Sequence, residues 1–210
     1  MGDCLYLVAV CVPHRTTAQC LWQLAQTSSA TNTILNCDQH HLEFLVSSML
    51  SAQQLIFLQV RIFDMESRRC IALGQGHTEA VGVVAWPNKS TDFLISGSKD
   101  RTLKIWKSAK LKTDVDEPVT LKVRSNTVAH EKDINTIAVA PNDALFATGS
   151  QDKTIKIWPT TGVLSNPQAV LKGHKRGVWS LAFSPVDKCL ASGSGDSTIK
   201  VLSCWTSGKR

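Results

Sequence analysis

Three times along the chain a histidine is followed, at a nearly fixed interval, by a hydroxyl residue and an aspartate. The sets are His77 with Ser96 or Ser98 and Asp100, His130 with Thr148 or Ser150 and Asp152, and His174 with Ser192 or Ser194 and Asp196. Ser, His and Asp are the residue types of a hydrolytic triad, in which histidine activates the hydroxyl and a carboxylate orients the histidine beside an oxyanion hole. An active site is built once, whereas this combination recurs in register, so its repetition argues for structure over catalysis. Other chemical motifs are incomplete. Gly74-Gln75-Gly76 lacks the third glycine and the strand-to-helix setting of a dinucleotide loop, and no Walker lysine motif occurs. Cys37, His40 and His41 supply half of a zinc spacing without a second pair and read as a polar loop. The sequence therefore predicts no enzyme, metal, cofactor or small-molecule substrate.

The elements that must hold these residues repeat with them. FLISGSKDRTLKIW (93–106), LFATGSQDKTIKIW (145–158) and CLASGSGDSTIKVL (189–202) align, and the first and third are preceded by Gly76-His77 and Gly173-His174. The histidines lie 53 and 44 residues apart, the longer interval containing a charged, turn-prone stretch from Lys107 to Asp116 that reads as a loop insertion. A period in the mid-forties, opening on Gly-His and closing on Trp, resembles the WD40 family, whose blades are four antiparallel strands. Alternation places first strands at Val81–Trp86, Asn135–Val139 and Val178–Phe183, and second strands ending at Ser98, Ser150 and Ser194. Third strands fall at Thr102–Trp106, Thr154–Trp158 and Thr198–Leu202, and fainter outer strands at Thr120–Val123 and Ala169–Leu171.

The WD40 resemblance gives the polar sets a role: Trp106 and Trp158 would donate to the hydroxyl, the hydroxyl would bond the histidine, and the histidine the turn aspartate. Leu202 stands where the third set needs an indole, so that set should be the weakest.

Upstream, Gln59–Asp64 resembles the third strand of another blade and Cys70–Gln75 its outer strand. Leu5–Val12 suits one more strand, Gln19–Gln39 is polar without period, and Leu42 to Val60 has helical spacing. The expected organisation is an unassigned segment at 1–58, a partial blade at 59–75, blades at 76–129 and 130–172, and an incomplete blade at 173–210. The fold class is all-β, a partial propeller of three to four blades. Seven blades need roughly 300 residues, so this chain alone is expected to leave the ring open, as a truncated product or an arc of a larger protein.

Composition is that of a globular protein, with 43% hydrophobic and 19% charged residues. No apolar run approaches the roughly 20 residues of a membrane span, and the seven cysteines, odd in number and without C-x-x-C spacing, read as free thiols. The net charge of +6 is uneven: residues 1–60, with Arg15 against Asp3, Asp38 and Glu43, carry −2, and residues 61–210 carry +8. Lys132, Lys172, Lys175 and Arg176 flank the repeated histidines and are expected on one rim, where they would meet acidic protein or, through its backbone, RNA. The peptides 130–135, 139–143 and 173–177, with 116–118 and 121–125, resemble transducin-beta-like WD40 proteins of the small-subunit processome. That resemblance implies a nuclear, nucleolar scaffold associated with the U3 small nucleolar ribonucleoprotein, acting in ribosomal RNA maturation among proteins of a pre-ribosomal assembly. A generic WD40 adaptor, such as a G-protein β-like protein or a ubiquitin-ligase receptor, is the alternative.

Overall fold

The computed structural model describes residues 6–13, 18–25, 58–64, 67–109, 111, 117–162, 164–187 and 189–203, the first two stretches as backbone only. All are organised around four β-sheets. The first contains β1 (Tyr6–Pro13), β2 (Ala18–Ala25), β3 (Val60–Asp64) and β4 (Cys70–Gly74). The second contains β5 (Val81–Ala85), β6 (Phe93–Ser98) and β7 (Thr102–Lys107). Next in the chain come β8 (Val119–Thr120), which joins the first sheet, and β9 (Lys122–Val128), which completes the second. The third is β10 (Ile134–Val139), β11 (Leu145–Ser150), β12 (Ile155–Pro159) and β13 (Ala169–Leu171). The fourth is β14 (Val178–Phe183), β15 (Cys189–Ser194) and β16 (Ile199–Ser203). The last three sheets run in chain order, each strand antiparallel to its neighbour, as blades do.

Three features depart from the sequence expectation. The outer strand of the second blade is Lys122–Val128, pairing with β7 from Lys107↔Lys122 to Thr102↔Val128, whereas Thr120 belongs to β8 and pairs in parallel with β4. Arg124–Val128 has little apolar alternation because this outer strand is mostly exposed and held through its backbone. The strand Ala18–Ala25 falls within the segment expected to lack periodicity; Leu21 and Trp22 are adjacent apolar residues and break its alternation. It pairs with β1 over its whole length, and β1 pairs with β3, so 59–75 is joined by two strands from the unassigned segment. The sheet order β2-β1-β3-β4 reverses the chain order of its first two strands. The expected helix lies outside the described residues apart from its end, where Val60 belongs to β3.

Blades pack face to face through a repeated notch. A Cβ on Gly97 would lie 2.6 Å from Ile134 Cγ2, and one on Gly149 2.7 Å from Val178 Cγ1, so each glycine admits a β-branched residue of the next blade. Around these notches Leu103 and Ile105, then Ile155 and Ile157, are buried against the following blade. On the fourth blade a Cβ at Gly193 meets nothing nearer than Ser180 Cβ at 3.8 Å, and Ile199 and Val201 are 80% and 70% exposed. A polar latch joins the second and third blades: the Asp143 carboxylate accepts from the Asn88 and Lys89 N–H groups at 2.6 and 2.7 Å, while Asn88 Nδ2 donates to the Ala140 carbonyl.

Candidate functional site

The repeated polar residues meet where the loop entering each blade crosses the turn between its second and third strands. His77 Nε2 lies 2.7 Å from Ser96 Oγ and Nδ1 lies 2.9 Å from Asp100 Oδ2. His130 stands 2.8 Å from Thr148 Oγ1 and 2.9 Å from Asp152 Oδ2; His174 stands 2.9 Å from Ser192 Oγ and 3.1 Å from Asp196 Oδ2. Trp106 and Trp158 Nε1 donate to Ser96 and Thr148 at 2.8 and 2.9 Å. An indole N–H can only donate, so the hydroxyl accepts it, passes its own hydrogen to Nε2, and leaves Nδ1–H for the carboxylate. In the third set Leu202 faces Leu190, the register position that Trp106 and Trp158 hold opposite Leu94 and Phe146.

The geometry resolves the two hydroxyl candidates in each set. Ser96, Thr148 and Ser192 bond the histidines, whereas Ser98, Ser150 and Ser194 accept the aspartate backbone N–H and donate to carbonyls of the loop entering the blade. Two further repeated residues were not singled out in the sequence. Thr102, Thr154 and Thr198 donate to the aspartates at 2.6 Å in the second, third and fourth blades. Lys156 Nζ and Lys200 Nζ donate to the carbonyls of Ala129 and Gly173, stapling the third strand to the loop before each histidine. Their fixed offsets from the aspartate, two and four residues, were the available signal.

The electrostatics suit a neutral His130 and ionised turn carboxylates. Burial lowers the His130 pKa, outweighing the pull of Asp152. Burial pushes the Asp100 carboxyl up, but His77, the Thr102 hydroxyl and the Thr78 and Thr102 N–H groups overcome it and hold the group well below the usual carboxylate range. Asp152 is likewise opposed by burial yet lowered to about 2 by Thr154, which donates through hydroxyl and N–H, and by His130. For Asp196 the Thr198 hydroxyl leads the lowering, burial opposes it, and the Lys175 N–H and His174 add to it. These sets are not catalytic: Ser96, Thr148 and Ser192 are buried under their own blades and present no hydroxyl to a substrate. No cluster of three metal-ligating side chains occurs among the described residues; Cys37, His40 and His41 lie outside them.

Of the expected rim, Lys132, Lys175 and Arg176 are exposed in the matched loops entering the third and fourth blades. Lys172 is also exposed, and with Lys153 and Lys156 it lines a cavity of about 480 Å³ beside the third blade's turn.

The WD domain, G-beta repeat model matches residues 68–107, 122–159 and 165–203, more than half of the chain. The chain belongs to the WD40 family. Each matched span starts at the fourth strand of one sheet and ends at the third strand of the next, so a WD40 sequence repeat straddles two blades. The chain is 39% identical over 136 residues to human transducin beta-like protein 3, covering 61% of this chain and 16% of the relative. The bovine protein of that name is 45% identical over 94 residues, 42% of this chain and 12% of its own length. U3 small nucleolar RNA-associated protein 13 of Saccharomyces cerevisiae is 46% identical over 88 residues, 40% of this chain and 11% of its own. The chain thus spans less than a fifth of the length of these relatives.

Proposed function

We propose that this WD40 chain is an assembly platform in small-subunit ribosomal RNA processing, acting in the nucleolus with proteins of a pre-ribosomal particle. The observation that carries this reading is its similarity to transducin beta-like protein 3 and to a U3 small nucleolar RNA-associated protein across the blades described above. A repeated β platform whose polar sets are consumed in its own loops offers surfaces rather than chemistry. Lys132, Lys172, Lys175 and Arg176 are the contact rim in this reading, directed to acidic protein and secondarily to RNA phosphates. The test is co-purification of U3 small nucleolar RNA and pre-ribosomal RNA with the tagged chain across a salt series. Replacing Lys172, Lys175 and Arg176 with Glu should reduce recovery as salt rises while leaving the melting transition unchanged. Recovery equal to that of an unrelated WD40 chain would refute the reading and leave a generic adaptor.

A further inference from the structure

At each blade junction one residue of the incoming blade does two things. The Ile134 side chain fills the notch at Gly97, and its carbonyl oxygen would lie 3.1 Å from a Cβ on Gly82; the Val178 side chain fills the notch at Gly149, and its carbonyl accepts from Asn135 Nδ2 at 2.8 Å. Both residues open the first strand of their blade, and both are β-branched. The apolar wall beside each notch is then closed, with Leu103 and Ile105 buried at the first junction and Ile155 and Ile157 at the second.

The fourth blade repeats these parts unfilled. Gly193 pairs with Ile199, as Gly97 pairs with Leu103 and Gly149 with Ile155. No contact within its own blade calls for glycine there, since a Cβ would approach nothing closer than 3.8 Å, and a glycine inside a strand weakens it unless another backbone comes close. Ile199 and Val201 are exposed where their counterparts are buried, and Trp179, in the place of Gly82 and Asn135, is 57% exposed and carries an indole N–H where Asn135 carries its amide. Among the described residues no strand pairs with Ile199–Val201 beyond β15, whereas β13 lies along Ile155–Ile157. One kind of occupant fits all of this: two consecutive strands, the first paired with β16 and the second crossing the face with valine or isoleucine at Gly193, as β13 and β14 do for the third blade. Residues 204–210 are too few to pair with Ile199–Val201 and also return over Gly193, a path that takes residues 160–177 in the third blade. A second copy has no such residue to spare, because Val81, Ile134 and Val178 are each buried in their own junctions.

We propose that the fourth blade is an acceptor for a two-strand segment of another polypeptide, which extends the sheet along Ile199–Val201 and seats a valine or isoleucine over Gly193. This acceptor uses none of the rim cations and is independent of the ribosomal setting. The test is hydroxyl-radical footprinting of the 210-residue chain, read by mass spectrometry at a dilution where sedimentation shows a monomer. The probe is a synthetic, isotopically labelled peptide of residues 169–183, AVLKGHKRGVWSLAF, and the same peptide with Val178→Asp is the control. The peptide should lower oxidation of Trp179, Ile199 and Val201 several-fold while exposed Val128 and Val186 react as before. Gly193→Ala, whose melting transition should equal wild type because its Cβ meets open space in the free chain, should lose that protection, and the Val178→Asp peptide should give none. Unchanged oxidation at the three side chains overturns the acceptor, as does protection that survives Gly193→Ala. Protection that appears as the chain is concentrated without peptide, and that Gly193→Ala removes, gives the notch to a second copy and overturns the assignment to another polypeptide.

Discussion

Asp152→Ala isolates the value of one turn carboxylate. In the folded chain this side chain accepts from His130 Nδ1 at 2.9 Å, Glu131 N–H at 3.1 Å, Thr154 N–H at 2.9 Å and the Thr154 hydroxyl at 2.6 Å. After truncation the exposed Glu131 N–H turns to water and the hydroxyl rotates, so the cost concentrates on Nδ1–H of an imidazole with no exposed surface. Thr154 Oγ1, 3.2 Å from Nδ1, recovers part of that bond. A buried donor left short of an acceptor costs about 1–3 kcal/mol, and partial replacement with solvent screening at the turn places this one at about 1–2 kcal/mol at pH 7. With a urea slope of about 2 kcal/mol/M, the midpoint should fall by roughly 0.5–1 M. The loss should depend on pH. The folded-state pKa, lowered from 3.8 to about 2, means that the stabilisation is complete above pH 3.8 and disappears as pH falls towards 2. Burial of His130, whose pKa is lowered from 6.5, costs stability below pH 6.5 in wild type and variant alike, so the closing of the gap is carried by the Asp152 carboxyl itself. Urea melts of wild type and variant at neutral and acid pH should therefore converge as the medium is acidified. A gap independent of pH, or a loss no larger than that of Asp196→Ala in the set without an indole, would refute the argument.

Gly97→Ala and Gly149→Ala should each cost about 1–3 kcal/mol by overpacking the notch against Ile134 or Val178, whereas Gly193→Ala should be nearly neutral; thermal melts of the three decide it. Asp143→Ala should remove about 1 kcal/mol by opening the latch to Asn88 and Lys89, and amide exchange at those two residues should rise with it. The chain should self-associate through the exposed fourth blade, where Trp179, Ile199 and Val201 face solvent. Sedimentation across a concentration series should show this, with relief by Ile199→Lys and Val201→Lys together; a concentration-independent monomer would contradict it.

Where the sequence repeats, strand positions were legible almost residue by residue. Val178–Phe183 and Ala169–Leu171 have the expected bounds, because turn residues flank them: Gly177 and Ser184-Pro185 for the first, Pro167 and Gly173 for the second. Legibility failed where a strand is fixed by its partner rather than by its own pattern. β9 is mostly solvent-facing, β8 is two residues long, and β2 carries adjacent apolar residues, so none displays a one-sided period. The site divides in the same way. His, Asp and Trp stood out as rare residues recurring in register, while Thr102, Thr154 and Thr198 and the stapling lysines were hidden among common strand and surface types.

The parallel pairing of Val119–Thr120 with Ala72–Leu73 also bears on the order in which the molecule assembles. The third blade closes between Ile134 and Leu171, so its contacts are local and its loops short. The first sheet joins strands that begin at Tyr6 and end at Thr120, and its outermost member cannot dock until the chain has passed through the whole of β5 to β7. Because loop closure precedes the reward of a distant contact, the third blade is the natural nucleus and the first sheet forms late. Unfolding should retrace this path, with β8 releasing before the second blade opens, so stabilising the β4–β8 seam slows unfolding while leaving the folding rate nearly untouched.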